Sequence, residues 1–266
     1  MGSQPTGYSL FKQDTVQAVE GAVIEEGRIC IFLNGQELAS IMCTPHHLDE
    51  LAIGFLRSEE LIHSLADIQV LTISDSQTCV DVWLKDVTVK PPARRIITSG
   101  CGGGVTFDDL HSEVVPLNTA TTISLPEVTL LMKKLYQAGT LYRDVQGVHT
   151  SALSDGQELL LVADDVGRHN TIDRLWGRAL QHEVATEWRI LLSTGRISSE
   201  MLAKAVKMRV PIVISRTSPT SLSVELARRA NVTLIGYARA DSLRVYSAPD
   251  RVQEGCSAES SARILP

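Results

Sequence analysis

The amino-acid sequence predicts an α/β fold: a mostly parallel sheet with covering helices, preceded by a smaller β-rich part. Two patterns carry this reading. From residue 171 onward, helical and strand-like segments alternate with short connections, as they do when strands are joined by crossover helices. Ahead of that point, short alternating apolar runs broken by turn residues dominate. A chain of 266 residues that is 44% hydrophobic and 21% charged can bury a sizeable core and has the make-up of a globular protein.

Residues 1–18, rich in Ser, Gln, Thr and Gly, read as a loosely ordered lead-in. Strands over 23–33 and 37–43 flank Asn34-Gly35, the dipeptide suited to a type I′ hairpin turn. Thr44-Pro45 opens a helix as N-cap and first helical residue, with an apolar stripe of Leu48, Leu51, Ala52, Phe55 and Leu56. Short strands follow near 68–74, 79–84 and 87–90, and Pro91-Pro92 closes this half. The low-charge stretch 114–122 connects to a helix over 126–138, and strands over 147–153 and 158–163 pair around Ser154-Asp155-Gly156. Then come helix 171–182, strand 189–193, helix 198–208, strand 211–215, helix 219–230 and strands 232–238 and 243–247. The expected division is a β-rich part over 19–100, a connector over 101–125, an α/β part over 126–249 and a tail over 250–266.

Composition removes several classes of function. No apolar run approaches the roughly 18 residues a membrane helix needs, and the first residues lack a basic and an apolar signal region. Cys30, Cys43, Cys79, Cys101 and Cys256 are odd in number and show no framework spacing, which argues against a disulfide scaffold and for a cytoplasmic protein. A formal charge of −6 argues against a general nucleic-acid surface, though not against a local basic pocket.

Cys101 stands apart, in Ile97-Thr98-Ser99-Gly100-Cys101-Gly102-Gly103-Gly104-Val105. Four glycines in the five positions 100–104 leave the sulfur little steric cover, as thiol chemistry requires. A phosphate cradle or a tight turn that happens to carry a cysteine would read the same way. The run is not a dinucleotide fingerprint, because Val105 stands where a third Gly or Ala belongs, and no Lys-Ser or Lys-Thr follows to make a Walker loop. Upstream, Arg94 and Arg95 would favour the thiolate, or are plain surface charges.

In an open α/β sheet, ligands sit beyond the carboxyl ends of the strands. The loops there are 164–170 with Asp165, Gly167, Arg168, His169 and Asn170; 193–196 with Thr194, Gly195 and Arg196; 215–221 with Arg216, Ser218 and Ser221; and 236–242 with Tyr237, Ala238, Arg239, Ala240, Asp241 and Ser242. Each holds one arginine, and three run into helix N-termini, a combination suited to a phosphorylated, nucleotide-like ligand. The alternative for any one loop is internal pairing of Arg168 or Arg196 with Asp164, Asp165 or Glu200. His149 and His169 are candidates for the ligand edge, while Asn170 and Asp173 also read as a helix start with its capping pair. No metal site is expected: Cys43, His46 and His47 lack a second ligand pair at zinc spacing. A hydrolase elbow of the Gly-x-Ser-x-Gly type is absent.

Several separated blocks resemble the FdhD family of formate dehydrogenase accessory sulfurtransferases. They are Glu25-Glu26-Gly27-Arg28-Ile29 through Asn34-Gly35, the run from Thr44-Pro45-His46-His47 to Phe55-Leu56, the Cys101 loop, Gly147-Val148-His149-Thr150-Ser151-Ala152, Asp165-Val166-Gly167-Arg168-His169-Asn170, and Ser218-Pro219-Thr220-Ser221 through Leu226-Ala227. The resemblance covers roughly residues 20–247 in matching order. It implies a cytidine-deaminase-like C-terminal domain beside a smaller β-rich N-terminal one. It further implies an accessory sulfurtransferase that takes persulfide sulfur from a cysteine desulfurase. That sulfur goes to the molybdenum cofactor in its bis(molybdopterin guanine dinucleotide) form, bound as cargo, before insertion into apo-formate dehydrogenase. The persulfide-carrying residue falls on Cys101, the final strand and loop segment 237–242 is part of the cofactor site, and a homodimer is expected. One departure stands out: the family's second loop cysteine is Gly104 here, so a resolving thiol is lost while single-thiol persulfide chemistry is kept. That departure keeps a second reading open, a cofactor-binding chaperone that moves no sulfur. A nucleotide enzyme using the same loops is a third. The zinc-deaminase signatures His-x-Glu and Pro-Cys-x-x-Cys are absent, so deaminase chemistry does not come with the fold.

Overall fold

The computed structural model of the protein describes residues 2–90, 96–97, 105–106 and 114–253. It opens with a hairpin, β1 (Ser3–Lys12) and β2 (Thr15–Ile24), in continuous register from Ser3 opposite Ile24 to Lys12 opposite Thr15. The expected lead-in is thus a strand pair. Its Ser, Thr and Gly content reads as disorder, but cross-strand pairs such as Tyr8 with Val19 and Phe11 with Val16 supply strand-forming side chains. Its base is tied to the body by Glu25 N–H donating to the Gly2 carbonyl at 2.9 Å.

A four-stranded sheet follows, built from β3 (Gly27–Leu33), β4 (Gln36–Cys43), β5 (Ile68–Ile73) and β6 (Cys79–Leu84) in the order β4-β3-β6-β5. Asn34 and Gly35 both take positive φ, 50° and 77°, as a type I′ turn requires. One face of the sheet, with Ile29, Ile31, Leu33, Val80 and Val82, packs on the buried stripe of helix α1 (Leu48–Ser58). Residues 87–90 form a turn and no strand. The short pair β7 (Ile96–Ile97) and β8 (Val105–Thr106) lies beyond them.

The second half begins at β9 (Ile123–Ser124) and helix α2 (Leu125–Ala138), capped by the reciprocal Ser124 and Glu127 contacts of a capping box. A short helix not foreseen in the sequence, α3 (Thr140–Val145), leads to the hairpin β10 (His149–Ser154) and β11 (Leu159–Asp165). Helices α4 (Arg168–Gln181), α5 (Ser199–Lys207) and α6 (Ser221–Arg229) then alternate with β12 (Ile190–Ser193), β13 (Ile212–Ser215), β14 (Thr233–Gly236) and β15 (Arg244–Ser247). The six-stranded sheet runs β11-β10-β12-β13-β14-β15. The α/β class holds, and within this sheet the parallel pairing is that of β12, β13 and β14, with β10, β11 and β15 joining antiparallel. The reason is connection length: β10–β11 and β14–β15 are joined by short turns without a helix, and a parallel return needs about a dozen residues or more.

Alternation along the strands feeds two cores. Leu191, Val213 and Leu234 pack on α4, α5 and α6, while Ile190, Leu192, Ile212, Ile214 and Ile235 pack on α2. The segment expected as a tail starts ordered: β16 (Val252–Gln253) pairs parallel with β9, and the buried Arg251 guanidinium donates to the carbonyls of Leu117 and Asn231. Among the described residues no helix is long and apolar enough to cross a membrane.

The halves are welded along α1 and α4. Added Cβ atoms at Gly54 and Gly177 would lie 1.7 Å from the Asp173 carbonyl oxygen and 1.9 Å from that of Glu50, so backbone rests on backbone. Around this contact, Arg178 pairs with Glu50 at 2.8 Å, Gln181 donates to Asp49 and the Arg57 guanidinium lies 4.7 Å above the Trp176 ring. At its end sits Arg174, fully buried, bonded to Asp165 and to the carbonyls of Thr44, His46 and His47. Those carbonyls explain why α1 starts at Leu48, three residues later than the sequence suggests. The 44–47 backbone is turned toward Arg174, and His47 takes a left-handed φ of 43° at the N-cap.

Two substitutions test the weld by urea unfolding. Gly54→Ala is expected to destabilise the protein by about 3 kcal/mol or more, since the overlap involves backbone that cannot rotate away. Arg174→Met leaves the Asp165 carboxylate buried without its cation and should lower stability by about 3–5 kcal/mol. A midpoint unchanged in either variant would show that the halves are not held this way.

Candidate functional site

Because β12, β13 and β14 run parallel, Ser193, Ser215 and Gly236 end at one edge of the sheet. The antiparallel β10 and β11 bring His149 and Asp165 to that edge too. The four loops read from the sequence therefore meet. The 193–196, 215–221 and 236–242 loops and the start of β10 are laced together through Thr194 N–H to the Thr150 carbonyl at 2.9 Å, Thr150 N–H to the Thr194 hydroxyl at 3.0 Å, Ser215 hydroxyl to the Gly195 carbonyl at 2.7 Å, and Tyr237 N–H to the Thr217 carbonyl at 3.0 Å.

At the centre are His149, Arg168 and Gly195. A Cβ on Gly195 would sit 3.1 Å from both the Arg168 Cβ and the His149 Nδ1, so only glycine lets these three approach without a shift. Arg168 is buried as the first residue of α4, whose N-cap Gly167 offers no side chain to its free N–H groups. The N-termini of α5 and α6 are already capped, by the Ser198 and Thr220 side chains. Of the three, α4 presents the most open helix start at this edge. His149 is held below its ordinary value by burial, then by Arg168 and His169.

His169 lies beside this centre, with Nε2 2.8 Å from the Ser198 hydroxyl and 3.4 Å from Glu200. The hydrogen bond from His169 holds the Glu200 carboxyl down at about 2, whereas burial lowers His169 itself. Neutral imidazole donating to carboxylate satisfies both.

Asp165 and Asn170 are turned away from this edge, toward the 42–44 segment. Asp165 is fully buried and accepts from Arg174, Asn170, the Gly167 N–H and the Thr44 N–H, while Asn170 also donates to the Met42 carbonyl. Asp173, read as a capping partner, instead binds Lys204 at 2.5 Å.

A second cluster forms around Tyr237, which takes a left-handed φ of 51° and carries the Arg244 guanidinium 4.2 Å above its ring. With Arg239, Ser242 and Leu243 these residues line a cavity of about 460 Å³. Arg239 N–H donates to the Ser242 carbonyl at 2.8 Å, closing the turn. Arg239, Ala240, Asp241 and Ser242 are exposed, and Ala238 is buried. Arg216 lies 5.6 Å over the Tyr136 ring, Ser218 is half-buried, and Arg196 and Ser221 are exposed at the rim. The sequence reading missed Arg244 and Tyr136. Arg244 could have been found as the residue opposite Gly236 across the last strand pair, whereas Tyr136 lies within α2 with no local signal. Cys101, Arg94, Arg95 and Cys256 lie outside the described residues.

Between the halves is a separate cavity of about 660 Å³, lined in part by His46, Asp49, Leu141, Asp164 and Arg178. The His46 and His47 rings meet edge to face at 5.2 Å, and the His46 Nε2 is buried without a hydrogen-bond partner among the described residues.

The chain shares its fold, over most of its length, with a crystal structure described as that of a formate dehydrogenase accessory protein from Desulfotalea psychrophila. The two are 25% identical with a TM-score of 0.78, and the match covers 94% of this chain and 99% of the other. The family model of the FdhD/NarQ family matches residues 24–253. The proteins named sulfur carrier protein FdhD of Bacillus subtilis and Listeria innocua are 38% and 34% identical, over 92% and 91% of this chain and 95% of each relative. The chain belongs to the FdhD/NarQ family.

Burial, followed by Arg174, lowers His46 from 6.5 to about 3. The unfolded chain therefore takes up a proton at this residue that the native state refuses. Stability is full above about pH 6.5 and falls as pH drops toward 3, by at most about 1.4 kcal/mol per pH unit. His149 and His169 act in the same sense. The His46→Gln variant should show a shallower fall of the urea midpoint between pH 6.5 and 4.5 than the parent; parallel curves would mean His46 protonates freely in the folded state.

Proposed function

We propose that this protein is a sulfur carrier serving formate dehydrogenase, with Cys101 as the carrying thiol. The observation that supports this most is the match along almost the whole chain to proteins named sulfur carrier protein FdhD. Beside it stands the glycine-flanked Cys101, which suits exposed thiol chemistry. The Cys101 thiolate attacks the terminal sulfur of a persulfide on a cysteine desulfurase. The donor's S–S bond breaks, the donor cysteine leaves as thiolate, and Cys101 keeps the sulfur as Cys101-S-SH.

The acceptor, in this reading, is the guanine-dinucleotide form of the molybdenum cofactor, bound as substrate at the sheet end. The open N-terminus of α4 and Arg168 suit its phosphates, and the cavity around Tyr237, Arg239 and Arg244 offers aromatic and cationic surface for a planar base. His149, held neutral, adds a hydrogen-bonding edge without adding charge. Apo-formate dehydrogenase then receives the loaded cofactor, and a homodimer in the cytoplasm is the working form.

Gly104 favours one other reading, a chaperone that holds the cofactor and moves no sulfur. Intact-protein mass spectrometry after incubation with a cysteine desulfurase and cysteine separates the two. A carrier gains about one sulfur mass, removable by reductant and mapped to the Cys101 peptide, and Cys101→Ala loses that gain while still binding the cofactor. An unmodified Cys101 beside a control carrier that loads normally would establish the chaperone.

A further inference from the structure

The outer face of the N-terminal sheet carries a feature the sulfur-carrier reading does not use. Cys30 on β3 and Cys79 on β6 are register partners on adjacent parallel strands. Burial alternates along both strands: Ile31 with Val80 and Leu33 with Val82 point into the core, whereas Cys30 with Cys79 and Phe32 with Asp81 point outward. Both thiols are free and partly exposed. Adjacent strands lie about 4.7–4.9 Å apart, inside the range of about 4.4–6.8 Å that Cα atoms span across a disulfide. Ser40, opposite Cys30 on β4, places its hydroxyl 3.4 Å from the Cys30 sulfur and donates to Glu37 at 3.0 Å, which leaves the thiol to donate to Ser40. The remaining described cysteine, Cys43, is fully buried, and burial pushes its thiol up to about 12.

We propose that Cys30 and Cys79 form a paired-thiol site that exchanges with small-molecule disulfides and closes to an intramolecular disulfide. One thiolate of the pair attacks a sulfur of the disulfide, forming a mixed disulfide and expelling one small thiolate. The neighbouring thiolate then attacks the protein sulfur of that bond, forming the Cys30–Cys79 bond and expelling the second small thiolate. The two protein thiols lose two electrons and two protons, and the disulfide takes them up as two thiols. The register supplies what the second step needs, a partner thiol in place before a second small thiol can reduce the mixed disulfide.

The experiment uses the full chain carrying Cys101→Ala and Cys256→Ala, so that Cys30, Cys43 and Cys79 remain. It is incubated with glutathione disulfide, and the remaining thiols are then blocked with iodoacetamide. The expected product is lighter than the reduced protein by about two mass units before blocking, with a linked Cys30–Cys79 peptide and an alkylated Cys43 after denaturation. Adding Cys30→Ser or Cys79→Ser should replace that product with a stable glutathione adduct on the surviving partner. Circular dichroism matching the parent shows that these variants fold. Glutathione on one or both cysteines of the intact pair with no linked peptide would overturn the proposal. So would two cysteines unreactive when folded and reactive in urea.

Discussion

The buried Asp165–Arg174 pair is the interaction on which the rest of the structure depends. Asp165 closes β11 and Arg174 lies two turns into α4, so the pair fixes helix to sheet within the C-terminal half. The same guanidinium reaches the carbonyls of Thr44, His46 and His47, and Asp165 accepts from the Thr44 N–H. A charged pair removed from water is stabilising only when its remaining hydrogen-bonding capacity is satisfied, and here backbone from the other half supplies that capacity. Each half therefore completes the other's polar accounts: without the 44–47 segment Arg174 would be a buried cation short of acceptors.

This arrangement divides the polar residues of the sheet end by task. Those nearest the clamp, Asp165 and Asn170, are committed to architecture, and their neighbours Arg168 and His149 line the edge where the loops converge. The sequence places all four within two short motifs. Which way each points is settled by the twist of the first turn of α4, where Arg168 and Asn170 diverge by about 200° around the axis. Burial lowers the two histidines at this edge below their ordinary value, so among the described residues its positive character comes from guanidinium groups and the helix dipole.

Much of the fold was legible because its elements are driven by local pattern. The runs Ile190-Leu191-Leu192 and Ile212-Val213-Ile214 can hardly be anything but buried strands between amphipathic helices, and those helices fall within a few residues of expectation. Convergence of the arginine-bearing loops followed from strand direction alone. What sequence could not give was set by contacts distant along the chain. The start of α1 depends on a guanidinium 130 residues away from Thr44. The β1–β2 hairpin is held by pairing rather than by apolar burial, so a composition that reads as unstructured is no guide. Tyr136 joins the sheet end only because α2 crosses behind it, under Arg216.

The glycine contact between α1 and α4 bears on motion as well as on stability. Helices that meet through side chains can slide or roll by changing rotamers, and shear between domains ordinarily works that way. Gly54 and Gly177 have no side chains to re-sort, and the carbonyls of Asp173 and Glu50 already occupy the space. Any tilt of one half against the other opens a gap or forces backbone into backbone. Sliding of the four-stranded sheet against the six-stranded one is therefore opposed at this joint by backbone and not only by side chains.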